Sequence, residues 1–306
     1  MSPALLLALC LAAGIVLRAS GRLTDSAPAA LNAYVINLAL PALVLHHLHR
    51  AELTFGLMAS AAGAWVMLGT AALFFGYIAR RARLDAATTG ALILTGGLAN
   101  TSFVGLPMIE AWIGREGLAH GIVIDQLGSY LALSTLGLLL AARYAGQSTH
   151  WRDIGKRVIT FPPLIALAAA LLLRPVPFPA ALDDVFGRLG ATVAPIALLS
   201  VGCQLRIGEL QSRLRALAWG LGYKLLLGPL VIAAICLMLI DGNTPAANLT
   251  RAVIIFEAAM GPMIGAAVVA NHYKLDSGTT SLMVGLGVPL SLMIAPAWLA
   301  LAYTMS

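Results

Sequence analysis

Charge is what this chain has least of. Only 10% of its 306 residues are Asp, Glu, Lys or Arg, against about 25% in an ordinary soluble domain, so a water-facing surface around a core of this size is excluded. Cysteine is scarce too. Cys10, Cys203 and Cys236 lie far apart inside apolar stretches, in no CxxC or metal-ligand spacing, and read as small buried residues rather than a disulfide or zinc framework. Aromatics make up 7%, and Trp65, Trp112, Trp219 and Trp298 fall where packing or interface anchors belong. There is no Walker loop, dinucleotide fingerprint, HExxH or GxSxG, so no nucleotide, metal or cofactor is expected.

Apolar sequence fills the space. The chain is 60% hydrophobic with a mean hydropathy of +0.90, and a bilayer-crossing helix takes roughly 20 mostly apolar residues. Runs bounded by charge, Gly and Pro predict ten spans, at about 2–17, 27–45, 53–79, 86–113 and 118–142, then 158–173, 182–204, 216–240, 246–270 and 279–303. Ala4–Leu17 has the length of a signal-peptide core, but its nearby cation, Arg18, follows the run instead of preceding it, so it reads as the first span.

The net charge of +6 suggests nucleic acid only until its placement is considered. Odd-numbered connections hold 13 of the cations (Arg18, Arg22, Arg80, Arg81, Arg83, Arg143, Arg152, Lys156, Arg157, Arg206, Arg213, Arg215, Lys274). Even-numbered ones hold 5 (Arg50, Arg115, Arg174, Arg188, Arg251), and Lys224 lies inside span eight. The positive-inside bias makes the odd connections cytoplasmic. Both termini then face outward.

The longest polar stretch, Arg143–Arg157, divides the chain into residues 1–142 and 158–306. Five spans in each half make the second run inverted relative to the first. Corresponding spans share features: Pro41 in span two against Pro195 in span seven, and a Gly/Pro interruption near the centre of spans four and nine. The first interruption reads Ala99-Asn100-Thr101-Ser102-Phe103-Val104-Gly105-Leu106-Pro107 and the second Ala259-Met260-Gly261-Pro262-Met263-Ile264-Gly265. Mid-span Gly and Pro free backbone groups that lipid cannot satisfy, so such breaks persist where protein or a water-filled cavity covers them. Paired breaks in inverted repeats are the pattern of secondary transporters, which bind substrate near the midplane. A single kinked helix would need no such explanation; two matched ones do.

Several polar residues fall within these spans. Asn100 sits at the centre of span four, where its amide could serve a ligand or bond the freed backbone; Thr101 and Ser102 have the same two readings. Helices restarting near Val104 and Pro262 would aim backbone N–H groups into a crossing, which favours an anion. Intramembrane ionisable groups are costly and usually functional: Asp125 could carry a proton or merely partner span four, and Lys224 and Glu257 could form a coupling site or a static ion pair. Pro41 and Pro195, with Asn32, Asn37 and Ser200, either shape a pocket wall or are local helix features. His46, His47 and His49 cluster beside Arg50 at the end of span two, where polar residues belong at an interface anyway, and are not assigned a metal.

The chain resembles the auxin efflux carrier family, which includes bacterial malonate and malate permeases and plant auxin carriers. The resemblance is carried by Asn100-Thr101 with Gly105-Leu106-Pro107-Met108, Asp125-Gln126-Leu127-Gly128 with Ser134-Thr135-Leu136-Gly137, Ala197-Leu198-Leu199-Ser200-Val201-Gly202, Lys224-Leu225-Leu226-Leu227-Gly228-Pro229 and Glu257-Ala258-Ala259-Met260. It implies an all-α fold of the bile acid–sodium symporter type, with spans four and nine crossing at unwound centres. Spans one, two, six and seven would form a scaffold, often dimeric, and spans three to five and eight to ten an elevator-like transport domain. It also implies a substrate site built from Asn100, Thr101, Ser102, Gly105, Pro107, Met260, Gly261 and Pro262, against Pro41 and Pro195. Lys224 near Glu257 would stand in for a sodium ion, so that any coupling uses protons. Where many relatives begin the span-nine break with proline, this chain has Gly261 and then Pro262. The implied partners are a small organic anion such as a mono- or dicarboxylate, the bilayer and a second copy of the chain, and no nucleic acid. An integral membrane enzyme using Asp125, Glu257 and the histidines, and a carrier of a neutral or auxin-like aromatic metabolite, are the alternatives.

Overall fold

The computed structural model describes residues 3–24, 26–49, 51–52, 54–147, 150–204, 213–240 and 244–304. Arg50 and Arg206, and the expected boundary residues Ser2 and Leu53, lie outside them. All regular structure among the described residues is helical, apart from one isolated β-bridge. An apolar chain with few side-chain partners to offer must satisfy its peptide groups within each segment, and a helix does so.

In chain order the helices are α1 (Pro3–Ala19), α2 (Ala27–Leu48), α3 (Phe55–Ala82), α4 (Ala86–Gly97), α5 (Leu106–Trp112), α6 (Arg115–Tyr144) and α7 (Trp151–Ile159). There follow α8 (Pro162–Leu172), α9 (Ala180–Gln204), α10 (Leu214–Leu239), α11 (Pro245–Ala258), α12 (Ile264–His272) and α13 (Ser277–Thr304). Six of these, α2, α3, α6, α9, α10 and α13, are long and apolar enough to cross a membrane. The other four expected spans take different forms. The fourth and ninth are each split, into α4 and α5 and into α11 and α12. The sixth is cut to the 11 residues of α8, about 17 Å at 1.5 Å per residue, because Pro162 and Pro163 start it and Arg174-Pro175 follows it. The first is the 17 residues of α1. The polar stretch read as a plain connection contains a helix, α7, which the hydropathy pattern did not reveal.

Packing follows two groupings. α1 and α2 lie against α9, and α2 also against α8; α3 packs on α4, α6 and α10, while α11 and α12 pack on α13. The α1–α9 contact is backbone to backbone: a Cβ on Gly14 would fall 2.2 Å from the Leu199 carbonyl oxygen, and one on Gly202 2.3 Å from that of Leu11. Small residues permit such an approach between apolar helices. Cys203, buried there, and Cys236 are free thiols in apolar surroundings, as their positions suggest, and Cys10 is half-buried. Trp65 and Trp298 donate to the Leu127 and Leu225 carbonyls, each at 2.9 Å, which makes both packing residues.

Two turns share a device that hydropathy does not reveal. Arg83-Leu84-Asp85 precedes α4 and Lys274-Leu275-Asp276 precedes α13; Arg83 (φ 53°) and Lys274 (φ 57°) are left-handed, and each Asp begins the helix that follows. Asp85 accepts from the Thr88 backbone at 2.7 Å and Asp276 from the Thr279 backbone at 3.2 Å, the N-cap arrangement. The turns are tied together because the Thr88 hydroxyl donates to Asp276 at 3.0 Å, and Arg213 at the start of α10 pairs with the same carboxylate. Burial pushes the Asp276 carboxyl up, but the hydrogen bonds from Thr279 and Thr88 and the Arg213 charge outweigh it, so its pKa lies below the ordinary value. A depressed carboxylate contributes stability that is complete above its unfolded pKa of about 3.9 and is lost as pH falls through the folded value. Asp276→Ala should therefore lower thermal stability at neutral pH by roughly 1–3 kcal/mol. The deficit relative to wild type should shrink in unfolding scans below about pH 4; a pH-independent deficit would count against this assignment.

The histidines of α2 serve packing. His46 Nδ1 lies 3.0 Å from Asp183 of α9, while His49 donates to the Leu173 carbonyl at 3.1 Å and stacks on Phe178. Among the described residues no group of three or more potential metal ligands occurs.

Candidate functional site at the crossing of the two breaks

The two interruptions meet. Between α4 and α5, and between α11 and α12, the chain leaves the helical ladder and the freed peptide groups bond each other. Asn100 N–H donates to the Gly261 carbonyl at 2.8 Å and Met263 N–H to the Leu98 carbonyl at 3.0 Å, making an antiparallel bridge between Ala99 and Pro262. This answers the problem that mid-span Gly and Pro create, since each break supplies the partners the other lacks. The first helix restarts earlier than Val104, through a π-helical turn at Thr101–Gly105, and the second restarts at Ile264. α13 presses on Gly261: a Cβ there would sit 2.7 Å from the Val288 Cα.

Asn100 is 2% exposed and fills one of the two roles its position suggested, bonding the freed backbone. Its Oδ1 accepts from the Phe103 N–H at 3.3 Å and caps the restarting turn, while its Nδ2 has no partner. A buried donor left unmade costs about 1–3 kcal/mol. The neighbouring hydroxyls turn the other way. Thr101 donates to Asp125 at 2.5 Å, Ser102 donates to the same oxygen, and Gln126 Nε2 donates to the other oxygen at 2.6 Å. Asp125 is thus bound into the span-four break, the partner role among its two readings.

Glu257 ends the run into the second break and is 1% exposed, and neither of its carboxylate oxygens has a hydrogen-bond partner. Gly105 makes room for it: a Cβ there would meet Glu257 Oε2 at 2.1 Å. Lys224, fully buried in a π-helical turn of α10, does not pair with Glu257. Its Nζ donates to the Ala258 carbonyl at 2.9 Å and lies 3.8 Å from Met67 Sδ. The ammonium therefore holds the last carbonyl of α11, where a positive charge also complements the helix dipole.

Beside these groups is a cavity of about 10 Å³ for the centre of a water-sized sphere, lined by residues that include Ser60, Ala99, Thr101, Ser129 and Glu257. That is room for about one water, so in this conformation the crossing is closed. Met260, Gly261 and Pro262 belong to the crossing itself, and Pro107 is buried in the first turn of α5. Pro41 and Pro195 do not line the cavity. Ser200 donates to Asn32 at 2.6 Å, joining α9 to α2, and exposed Asn37 donates to its own helix at the Ala33 carbonyl.

Sequence reasoning named Gln126 and Ser134 only within the family's motifs, not as site residues, and passed over Ser129. All three are buried on α6, and Gln126 Oε1 and both serine hydroxyls lack partners. Ser129 stands four residues after Asp125, on the same helical face, and that spacing was the available signal. π-helical turns at Ile124–Tyr130 and Leu133–Gly137 shift the local register, and such turns recur at functional sites.

Comparison with known proteins shows the family. A family model described as "Membrane transport protein" matches residues 1–299. An "Uncharacterized transporter" of Methanothermobacter thermautotrophicus is 30% identical over 288 residues, covering 93% of this chain and 92% of that protein. "Uncharacterized transporter MJ1031" of Methanocaldococcus jannaschii is 26% identical over 222 residues, covering 68% of this chain and 67% of its own length. With that match along almost its whole length and several helices fit to cross a bilayer, the chain belongs to the membrane transport protein family, the auxin efflux carriers that its motifs resemble, and is a multi-pass membrane transporter.

Proposed function

We propose that this transporter is a secondary active carrier of a small organic anion, a mono- or dicarboxylate, which binds where the two breaks cross. The observation that carries the reading is the unpaired Asn100 amide, buried at the hydrogen-bonded crossing and free to donate to a carboxylate. In the anion-loaded state Thr101, Ser102, Gly105 and Pro107 from one break, and Met260, Gly261 and Pro262 from the other, form the pocket floor. Pro41 and Pro195 bound it from the opposite wall.

Two carboxylates, Asp125 and Glu257, and one ammonium, Lys224, are buried around the crossing. With all three ionised the crossing carries one negative charge in excess, which opposes an anion. A proton on Glu257 removes the excess and turns its carboxyl into a donor. Lys224, anchored to the Ala258 carbonyl, supplies a fixed positive charge in place of a sodium ion. Coupling is therefore to protons and independent of sodium.

The packing of α1, α2, α8 and α9 on one another, and of α3 and α4 with α10 to α13, supports ten spans in two inverted halves, 1–142 and 158–306, joined by a cytoplasmic linker at 143–157. The first group is the scaffold, through which two copies pair. The second, which with α5 and α6 comprises spans three to five and eight to ten, moves past it as an elevator, which opens the closed crossing to each side in turn. The cation count supports placement in a bacterial inner membrane with both termini in the periplasm.

A ligand that binds the folded state raises its thermal stability. Malonate, malate, succinate, pyruvate and indole acetate should be scanned against the purified protein, each beside its uncharged amide. The reading expects at least one acid to raise the unfolding temperature while its amide does not. Equal stabilisation by acid and amide would remove the charge from recognition and favour a neutral metabolite.

A further inference from the structure

The helix that hydropathy did not reveal, α7, joins α6 to α8, and its composition is unlike that of any helix around it. Over Trp151-Arg152-Asp153-Ile154-Gly155-Lys156-Arg157-Val158-Ile159, successive 100° steps put Ile154, Val158, Trp151 and Ile159 on one side. Arg152, Asp153 and Lys156 fall on the other. Only part of the apolar side is used by the protein. Ile154 is 5% exposed, whereas Trp151 and Ile159 are each 71% exposed.

α7 packs on the Leu133–Gly137 turn of α6 and on α8, beside the last turns of a membrane-crossing helix and not beyond them. A helix at this level that leaves tryptophan and isoleucine uncovered beside exposed Arg152 and Lys156 matches an interfacial amphipathic helix. The cations outnumber Asp153, the one acidic residue of α7, so the complementary surface is a negatively charged one.

We propose that α7 lies in the headgroup layer and binds anionic phospholipid, with Trp151 and Ile159 entering the acyl boundary and Arg152 and Lys156 holding the headgroup phosphate. Because α7 ties the last helix of one half of the chain to the first helix of the other, this places a lipid contact on the connection between them.

The test uses the full-length protein in nanodiscs of phosphatidylcholine with a minor fraction of tail-brominated lipid, either phosphatidylglycerol or phosphatidylcholine. Subtracting the Trp151→Phe emission isolates residue 151 from the other four tryptophans. The expected result is quenching of the Trp151 component by both lipids, about fivefold stronger from the anionic one, the factor that a single surface cation near an anionic membrane supports. The preference should vanish in the Arg152→Gln/Lys156→Gln double variant. Should that variant fail to fold, the wild-type preference should still collapse as salt is raised. Absence of quenching would overturn the interfacial placement. Equal quenching by the two lipids, or a preference indifferent to salt, would overturn the headgroup contact.

Discussion

Asn100→Asp should leave the fold intact and abolish substrate binding. The substitution keeps Oδ1, which accepts from the Phe103 N–H and caps the restarting turn, and it leaves the backbone bond to Gly261 untouched. It replaces the unpaired Nδ2 donor with an acceptor, and where ionised with a negative charge facing the incoming carboxylate. Loss of one hydrogen bond to a charged group is worth about 1.5–3 kcal/mol, or roughly a tenfold to hundredfold weaker Kd, and charge repulsion adds to it. Asn100→Ala also loses the cap, so it should bind poorly and unfold at a lower temperature. The pair separates the two roles: if the amide only supports the backbone, Asn100→Asp binds like wild type and Asn100→Ala alone is impaired. Affinity by titration calorimetry and thermal unfolding on the same samples decide between them.

Lys224→Met should be the most damaging single change at the crossing. It removes the donor to the Ala258 carbonyl and the positive charge that balances buried Glu257, and breaking a buried charge arrangement typically costs 3–5 kcal/mol. Uptake should fall by at least roughly a hundredfold. Glu257→Gln should behave differently, because the proposed anion-loaded state already carries a proton on Glu257 and a glutamine mimics that neutral form. The variant should bind the anion while its uptake no longer responds to a pH gradient. Rates measured with and without an imposed pH difference test both variants. A Glu257→Gln protein as pH-responsive as wild type would assign the proton elsewhere, with Asp125 the remaining carboxylate at the crossing.

Much of this site was legible before any coordinates, for a physical reason. Glycine, proline and asparagine at mid-span cannot be explained by lipid, so Asn100, Gly105, Gly261 and Pro262 marked the breaks and the breaks marked the crossing. What could not be read was which atom meets which. Lys224 and Glu257 suggested a pair, yet the ammonium reaches the Ala258 carbonyl, one residue further on, and the carboxylate has no partner. The place of Gln126 and Ser129 at the site was hidden because π-helical turns in α6 break the 3.6-residue period from which a helical face is read. The shared turn of Arg83-Leu84-Asp85 and Lys274-Leu275-Asp276 escaped because capping is a local signal of a few residues that a span-length hydropathy window averages away. The same averaging hid α7, whose nine residues are too polar to register as a span. The sixth expected span, 158–173, was overextended for the converse reason: its apolar run continues past the points where Pro162 begins the helix and Arg174 follows it, whereas the first helix runs two residues beyond its expected end, to Ala19.

The central claim, an organic anion carried through the crossing with protons and without sodium, is tested most directly by uptake into proteoliposomes. Labelled malonate, malate, succinate, pyruvate and indole acetate would be offered under imposed pH, sodium or voltage gradients, with Asn100→Asp alongside. The account predicts saturable uptake of one acid that responds to pH or voltage, ignores sodium and is lost in the variant. Uptake that requires sodium, or no movement of any organic anion under any gradient, would contradict it.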